Sequence, residues 1–339
     1  MARRSSKKVS SKQRSAAPKA VIAPPPASSS VNGSGSGSFK KFFILVLIIL
    51  GVLYGPSLFK TGVHSKPKDF PLEKVAQFSL NPSPGKTFFV TAVAAIGPNL
   101  LAVTDSPGCQ VLEYDFKGKL IRKWGGKSGK APNEFNEPSG ITSDRKGNLY
   151  VLDTWNGAIK VFDVNGKLKK VLDLAHFGFF YGPRYVGWGG DCLMIPNGGN
   201  FHLVRLSFAG DLLSTWAGKD EIGNVGGAIG DGKGHYYACG LINEKGRIQV
   251  FDQLGQVLRS TKTEGSPSFL ALDSKERLYV GCGNDVRVFD SAGNLLGVLT
   301  DEAEPGKLVN FSGIDITSDD MILTCGGDNV TIYKIPGQK

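Results

Sequence analysis

Residues 133–174 read NEFNEPSGITSDRKGNLYVLDTWNGAIKVFDVNGKLKKVLDL. Four apolar runs, GIT, LYVLD, AIKVFD and LKKVLDL, alternate with Asp-, Asn- and Gly-rich separators at 144–148, 154–157 and 164–166. Short β-rich runs broken by such clusters predict consecutive antiparallel hairpins. Four strands in 42 residues make one propeller blade, provided the unit recurs along the chain.

It does recur. An aromatic or aliphatic residue, then Asp, two residues and Gly, appears as Tyr114–Asp115 with Gly118, Phe162–Asp163 with Gly166, Phe251–Asp252 with Gly255, and Phe289–Asp290 with Gly293. Degenerate copies are Leu206–Ser207 with Gly210 and Tyr333–Lys334 with Gly337. The six glycines are spaced by 48, 44, 45, 38 and 44 residues. A second marker ends a strand earlier in each unit, at Asp105, Asp153, Asn197, Cys239, Cys282 and Cys325, with spacings of 48, 44, 42, 43 and 43. Each unit is a small sheet that cannot bury both faces alone, so neighbours stack and a closed ring removes the exposed ends. The last unit stops just past Gly337, where its outermost strand should start. Residues 73–80 (EKVAQFSL) resemble the strand that follows each turn elsewhere (KLIRKW, KLKKVL, QVLRST) and are expected to supply it.

The unit resembles the NHL repeat, in which a Phe precedes Pro-x-Gly-Ile, then Gly-Asn-(Ile/Leu)-Tyr-Val, Asp-Thr and Arg-Ile-x-Val-Phe-Asp. Phe135, Pro138, Gly140, Ile141, Gly147, Asn148, Leu149, Tyr150, Val151, Asp153, Thr154, Asn156 and residues 159–163 match in the second unit, and RIQVFD at 247–252 matches in the fourth. The resemblance implies an all-β, six-bladed β-propeller over residues 72–339. It is specific for fold and weak for function, because such propellers serve as scaffolds, receptors, lactonases and lyases.

Charge divides the chain. Of its 40 Lys and Arg residues, nine precede residue 42, where there is no acid, so the other 31 nearly balance all 30 Asp and Glu. A propeller of near-zero net charge offers no electrostatic footprint for nucleic acid, which is not expected as a partner. Residues 1–41 are Ser-, Ala-, Pro- and Gly-rich and basic, and are expected to be a disordered tail. Residues 42–59 (FFILVLIILGVLYGPSLF) carry no charge. As a helix they would be about 27 Å long, enough for a single transmembrane anchor. The cations before them place the N-terminus in the cytoplasm and the propeller outside, in a periplasmic or extracellular space. A cleaved signal peptide is the competing reading, but the n-region is long and no small-x-small site follows. Residues 60–71 form a tether.

The chemistry-bearing residues favour binding over catalysis. Cys239, Cys282 and Cys325 share one repeat position, held elsewhere by Asp105, Asp153 and Asn197, and the resemblance to the NHL repeat implies that all six line the central channel. Three thiols there suit either a soft-metal site or small apolar filler. The oxygen side chains suit either calcium at the channel mouth, as in lactonases of similar architecture, or turn capping. No CxxC, GxSxG or register-sharing His set occurs, so no catalytic or metal-binding residue is assigned. Residues 176–188 (HFGFFYGPRYVGW) hold six aromatics besides His. Tyr181 and Arg184 fall on the loop into the third unit, and Trp155 and Asn156 on a loop of the second that emerges on the same face. Exposed aromatics with Arg are the usual anchors of an interface. The expectation is a membrane-tethered module that binds a protein, peptide or glycan without a cofactor. The alternative is a calcium-dependent lactonase-like hydrolase or a lyase.

Overall fold

The computed structural model describes residues 68–80, 88–177, 183–197, 202–216, 223–283, 285–301 and 311–337, inside a compact unit spanning 66–339. The expected tail (1–41), apolar anchor (42–59) and most of the tether lie outside these residues. Among the described residues no helix is long and apolar enough to cross a membrane.

After β1 (Asp69–Ser79), the chain runs through antiparallel meanders. The first is β2 (Val90–Ala95), β3 (Leu100–Asp105), β4 (Gln110–Asp115) and β5 (Leu120–Gly125). The second is β6 (Pro138–Ser143), β7 (Leu149–Asp153), β8 (Ala158–Phe162) and β9 (Leu168–Asp173). The third is β10 (Gly187–Trp188), β11 (Cys192–Asn197), β12 (His202–Ser207) and β13 (Leu212–Trp216). The fourth is β14 (Asn224–Gly230), β15 (Tyr236–Ile242), β16 (Lys245–Phe251) and β17 (Val257–Lys262). Two groups remain, β18 (Pro267–Leu272), β19 (Leu278–Cys282), β20 (Asp285–Phe289), β21 (Leu295–Asp301), and β22 (Gly313–Ile316), β23 (Ile322–Gly326), β24 (Asn329–Lys334). They join into one eight-stranded sheet ordered β18-β19-β20-β21-β1-β24-β23-β22. The structure therefore has five hydrogen-bonded sheets where the repeat predicts six, because β1 pairs on both sides.

Residues 73–79 pair as the sequence suggests, antiparallel to β24 from Glu73 opposite Lys334 to Ser79 opposite Asn329. A second pairing is absent from the sequence reading. Residues 69–72 run parallel to β21, with Asp69 opposite Val298 and Leu72 opposite Asp301, and a bulge between Lys74 and Ala76 follows the change of partner. Leu72 and Leu80, at the two ends of this segment, are both buried, and the Tyr114 hydroxyl donates to the Leu80 carbonyl at 2.6 Å.

The Asp-x-x-Gly turns explain the repeat chemically. In the turn after β8, Asp163 Oδ1 accepts the amides of Asn165 and Lys167 at 2.9 Å each, while Gly166 sits at φ 78°, which disfavours a Cβ. Asp115 and Asp252 repeat the pattern. Ser207 reproduces it with a hydroxyl, accepting the amides of Ala209 and Asp211 at 3.2 and 3.0 Å. The degenerate copy thus keeps the turn and loses only the charge.

Apolar clusters fill the spaces between neighbouring sheets. Val111 of β4 packs with Val151 and Phe162, Ile159 and Val161 with Val204 and Leu206, and Val103 and Leu112 with Val330 and Ile332. The innermost strands contact in turn, β2 with β6, β6 with β10, β10 with β14, β14 with β18, β18 with β22, and β22 with β2. Polar ties accompany them. The Ser106 hydroxyl donates to the Pro138 carbonyl at 2.6 Å and the Thr154 hydroxyl to the Pro183 carbonyl at 3.1 Å, each joining one sheet to the first strand, or the lead-in to it, of the next.

Candidate functional site

In an antiparallel meander the second-to-third turn and the link to the next sheet emerge at one end, and the first-to-second and third-to-fourth turns at the other. Trp155 lies at the former, in the short 3₁₀ turn Thr154–Asn156 between β7 and β8. The link before β6 is laced to this turn by Thr154 N–H to Glu137 O at 3.3 Å, Trp155 N–H to Asn136 O at 3.1 Å, and Asn136 N–H to Asp153 Oδ1 at 2.6 Å. Glu137 is the centre of the arrangement. Its carboxylate accepts the Trp155 indole N–H through Oε2 and Arg184 Nη1–H through Oε1, the latter at 2.9 Å. Its φ is 62°, in the left-handed region, although a residue before proline is normally extended. Trp155 remains 51% exposed and Arg184 is exposed, so both are fixed in place yet open to solvent.

The structure therefore brings Trp155 and Arg184 together, through a glutamate that the sequence reading passed over. Its signal was present: a lone carboxylate immediately before Pro138 of the best-matching repeat. Asn156 plays a different part, because its amide N–H groups donate to Gly129 O and Asp153 Oδ2 at 2.8 Å each and bind the turn to the preceding loop. Tyr181 lies outside the described residues.

A cavity of about 110 Å³ runs between the innermost strands. Thr91, Ser143, Tyr185 and Asp315 line it, with Arg145 and Trp188 also on its wall. Asp315 was also missed. It holds the repeat position of Thr142, an acid substituted into an otherwise neutral inner strand. Its Oδ2 accepts the Ala95 amide at 2.8 Å and its Oδ1 the Ile316 amide at 2.8 Å. Burial nevertheless pushes its pKa up to about 6, against the opposing pull of these hydrogen bonds and of the Arg145 charge. Tyr185 is likewise lifted well above the usual tyrosine range by burial, and its hydroxyl donates to Leu270 O at 3.1 Å. Because the folded pKa of Asp315 exceeds the unfolded value, the folded state favours the protonated form. The resulting penalty is present above about pH 6 and is relieved as pH falls through 6 toward 4. Asp315→Asn should remove this component of the pH dependence, so that the gain in stability the group provides between pH 7 and pH 5 disappears. Urea denaturation of parent and variant at pH 5 and 7 measures the difference, and an unchanged difference would contradict it.

The six residues expected to line the channel do not line this cavity. They lie on the second strand of their units, one ladder back from the axis, as the pairs Val90 with Asp105 and Pro138 with Asp153 show. Asp105 accepts the amides of Phe89 and Gly108 at 3.2 Å each through Oδ1, and the Gln110 side chain through Oδ2. Asp153 faces Lys160 at 3.1 Å. Asn197 pairs across the ladder with His202. Cys239 and Cys282 belong to one apolar cluster and Cys325 to another, and burial pushes all three thiols up. These are core thiols, not convergent ligands. Among the described residues no group of three or more His, Cys, Asp or Glu is placed to hold a metal ion.

Comparison with known proteins agrees with this fold. A family model for the NHL repeat matches residues 135–162, from Phe135 to Phe162. The uncharacterised protein YwcC of Lactococcus lactis is 31% identical over 127 residues, 32% of this chain and 37% of its own length, so the chain matches little more than a third of that relative. Among solved structures, a streptogramin B lyase superposes with a TM-score of 0.55 at 11% identity, covering 77% of this chain and 97% of the lyase. The WD40 β-propeller domain of Doa1 gives 0.51 at 14% identity, covering 77% and 98%. A catalytically inactive virginiamycin B lyase from Staphylococcus aureus with quinupristin gives 0.53 at 14% identity, covering 76% and 99%. At such identities the likeness is one of fold alone. The chain is an all-β propeller that carries an NHL repeat.

Proposed function

We propose that the protein is a membrane-tethered, extracytoplasmic six-bladed propeller that binds a protein, peptide or glycan at Trp155 and Arg184, with Tyr181 on the same loop system. The observation that carries the binding role is the Glu137 carboxylate, which fixes an exposed indole and an exposed guanidinium on one face. Pre-ordered aromatic and Arg side chains lose little entropy on binding, which is what interface anchors require. The count of six follows from dividing the eight-stranded sheet at the junction of β1 with β21. β18–β21 then forms one four-stranded blade and β22–β24 with β1 another, and the closed circuit of six inner strands supports that division. The proposed anchor is residues 42–59, and the cations before it favour a cytoplasmic N-terminus.

A lyase or hydrolase is the second reading, favoured by the fold likeness to the streptogramin B lyase. Two features weigh against it. The axial cavity of about 110 Å³ is small beside the roughly 300–1,000 Å³ typical of ligand pockets. A calcium ion at Asp105 or Asp153 would also displace the hydrogen bonds that these carboxylates already accept. Stoichiometric calcium in the purified protein would revive the enzyme reading.

Capture from the native membrane fraction with the full-length chain, compared with Trp155→Ala/Arg184→Ala, tests the face. The double variant should lose at least roughly thirtyfold in affinity if these are anchors worth about 2 kcal/mol or more. Equal capture by both chains would reject the face.

A further inference from the structure

At the opposite end of the meanders from Trp155, the first-to-second turn and outer strand of β6–β9 face β10–β13 across an open groove of about 760 Å³. Arg145, Lys146, Lys169 and Lys170 bring four positive charges to its lining, and Asp144 is the one carboxylate among the lining residues. That carboxylate is already engaged: Oδ1 accepts the amides of Lys146 and Asn148 at 2.8 and 3.0 Å, and Oδ2 accepts the Asn148 side chain.

Three of the four cations have neutral partners, and the Arg145 charge also acts on Asp315. The Arg145 guanidinium lies 4.2 Å from the Trp188 ring centroid. Lys169 Nζ donates to Asn148 Oδ1 at 3.3 Å and Lys170 Nζ to the Phe208 carbonyl at 2.6 Å. Each of these ammonium groups has three N–H donors, so each keeps two to offer. Four like charges around one groove repel one another until an anion enters. Lysines acting as point charges, with a guanidinium anchored by its face, suit phosphate oxygens. The near-zero net charge of the rest of the propeller argues for a compact ligand over a nucleic-acid backbone.

We propose that this groove binds a compact ligand carrying a phosphate or diphosphate group. The site stands apart from the Trp155 face and does not depend on it.

Isothermal titration of the full-length chain in detergent with inorganic pyrophosphate tests the proposal. Lys146→Gln/Lys169→Gln/Lys170→Gln should weaken binding at least tenfold, since charge-assisted bonds lost at even one cation give about that factor. Lys262→Gln, on exposed β17, should stay within about twofold of the parent. Should the triple variant show a lowered unfolding midpoint, Lys169→Gln alone, at an exposed position, reads the same effect. Dihexanoyl phosphatidic acid competing with pyrophosphate would assign the phosphate to a lipid headgroup, and failure to compete would assign it to a soluble ligand. No saturable binding by the parent chain, or equal binding by parent and variants, overturns the proposal. Hexaglutamate displacing pyrophosphate at equal concentration overturns it as well, because the groove would then be reading charge alone.

Discussion

A chain that begins at residue 81 should show no cooperative unfolding transition in urea, whereas one that begins at residue 66 should unfold in a single step. The difference between them is β1. Without it, the outward edge of β24 loses its antiparallel partner and β21 its parallel one. Two apolar clusters also open at once. Leu72 packs among Val288, Leu299 and Tyr333, and Leu80 among Val90, Val330 and Tyr114. Point variants grade the effect. Leu72→Ala and Leu80→Ala should each cost about 2–5 kcal/mol, because each removes a fully buried side chain. The two sites belong to different clusters, so their costs should add. Their sum approaches the roughly 5–15 kcal/mol that holds a whole domain together. Val75→Ala, on the same strand but 49% exposed, should change stability by less than about 0.5 kcal/mol. A truncated chain that still unfolds cooperatively would show that β1 is an accessory.

The second large effect concerns Asp153, whose position the sequence assigned to the channel. Lys160 is almost fully buried, and its Nζ donates to the carbonyls of Ala131 and Glu134, lies over the Phe135 ring at 4.6 Å, and meets Asp153 Oδ2 at 3.1 Å. Asp153 is the only carboxylate that Lys160 pairs with among the described residues. Asp153→Ala should therefore destabilise the protein by about 3–5 kcal/mol, because it leaves an ammonium without its counter-charge away from water. Adding Lys160→Met should recover most of that loss, since an apolar side chain of similar length removes the stranded charge. Urea denaturation of the single and double variants provides the measurement. If the double variant is no more stable than Asp153→Ala, the penalty comes from the lost turn bonds to Asn136 and Asn156 and not from the charge.

The meander was legible because its signals are local. Asp and Gly at fixed offsets dictate the turn, and alternating apolar runs dictate the strands, so the four runs of residues 133–174 become β6 to β9. The partner of residues 73–79 was legible too, since a missing strand and a spare strand of like pattern imply each other. The parallel pairing of Asp69 to Leu72 was not, because it depends on how the outer edges of adjacent sheets approach, which no local spacing encodes. The channel assignment failed for a related reason. A repeat position identifies the ladder a residue sits on, but Asp105 and Cys325 each stand one strand away from the axis. Glu137 and Asp315 carry signals too faint to single out, since each is one acid among 30 and its role depends on contacts with other segments.

Hydrogen exchange resolved to single amides tests the ring closure most directly. In the full-length chain the amides of residues 73–79 that point to β24, with those of residues 329–334, should exchange as slowly as those of β23, since they form one ladder. Rapid exchange of those β24-facing amides beside a protected β23 would contradict the closure of the propeller by its own N-terminal strand.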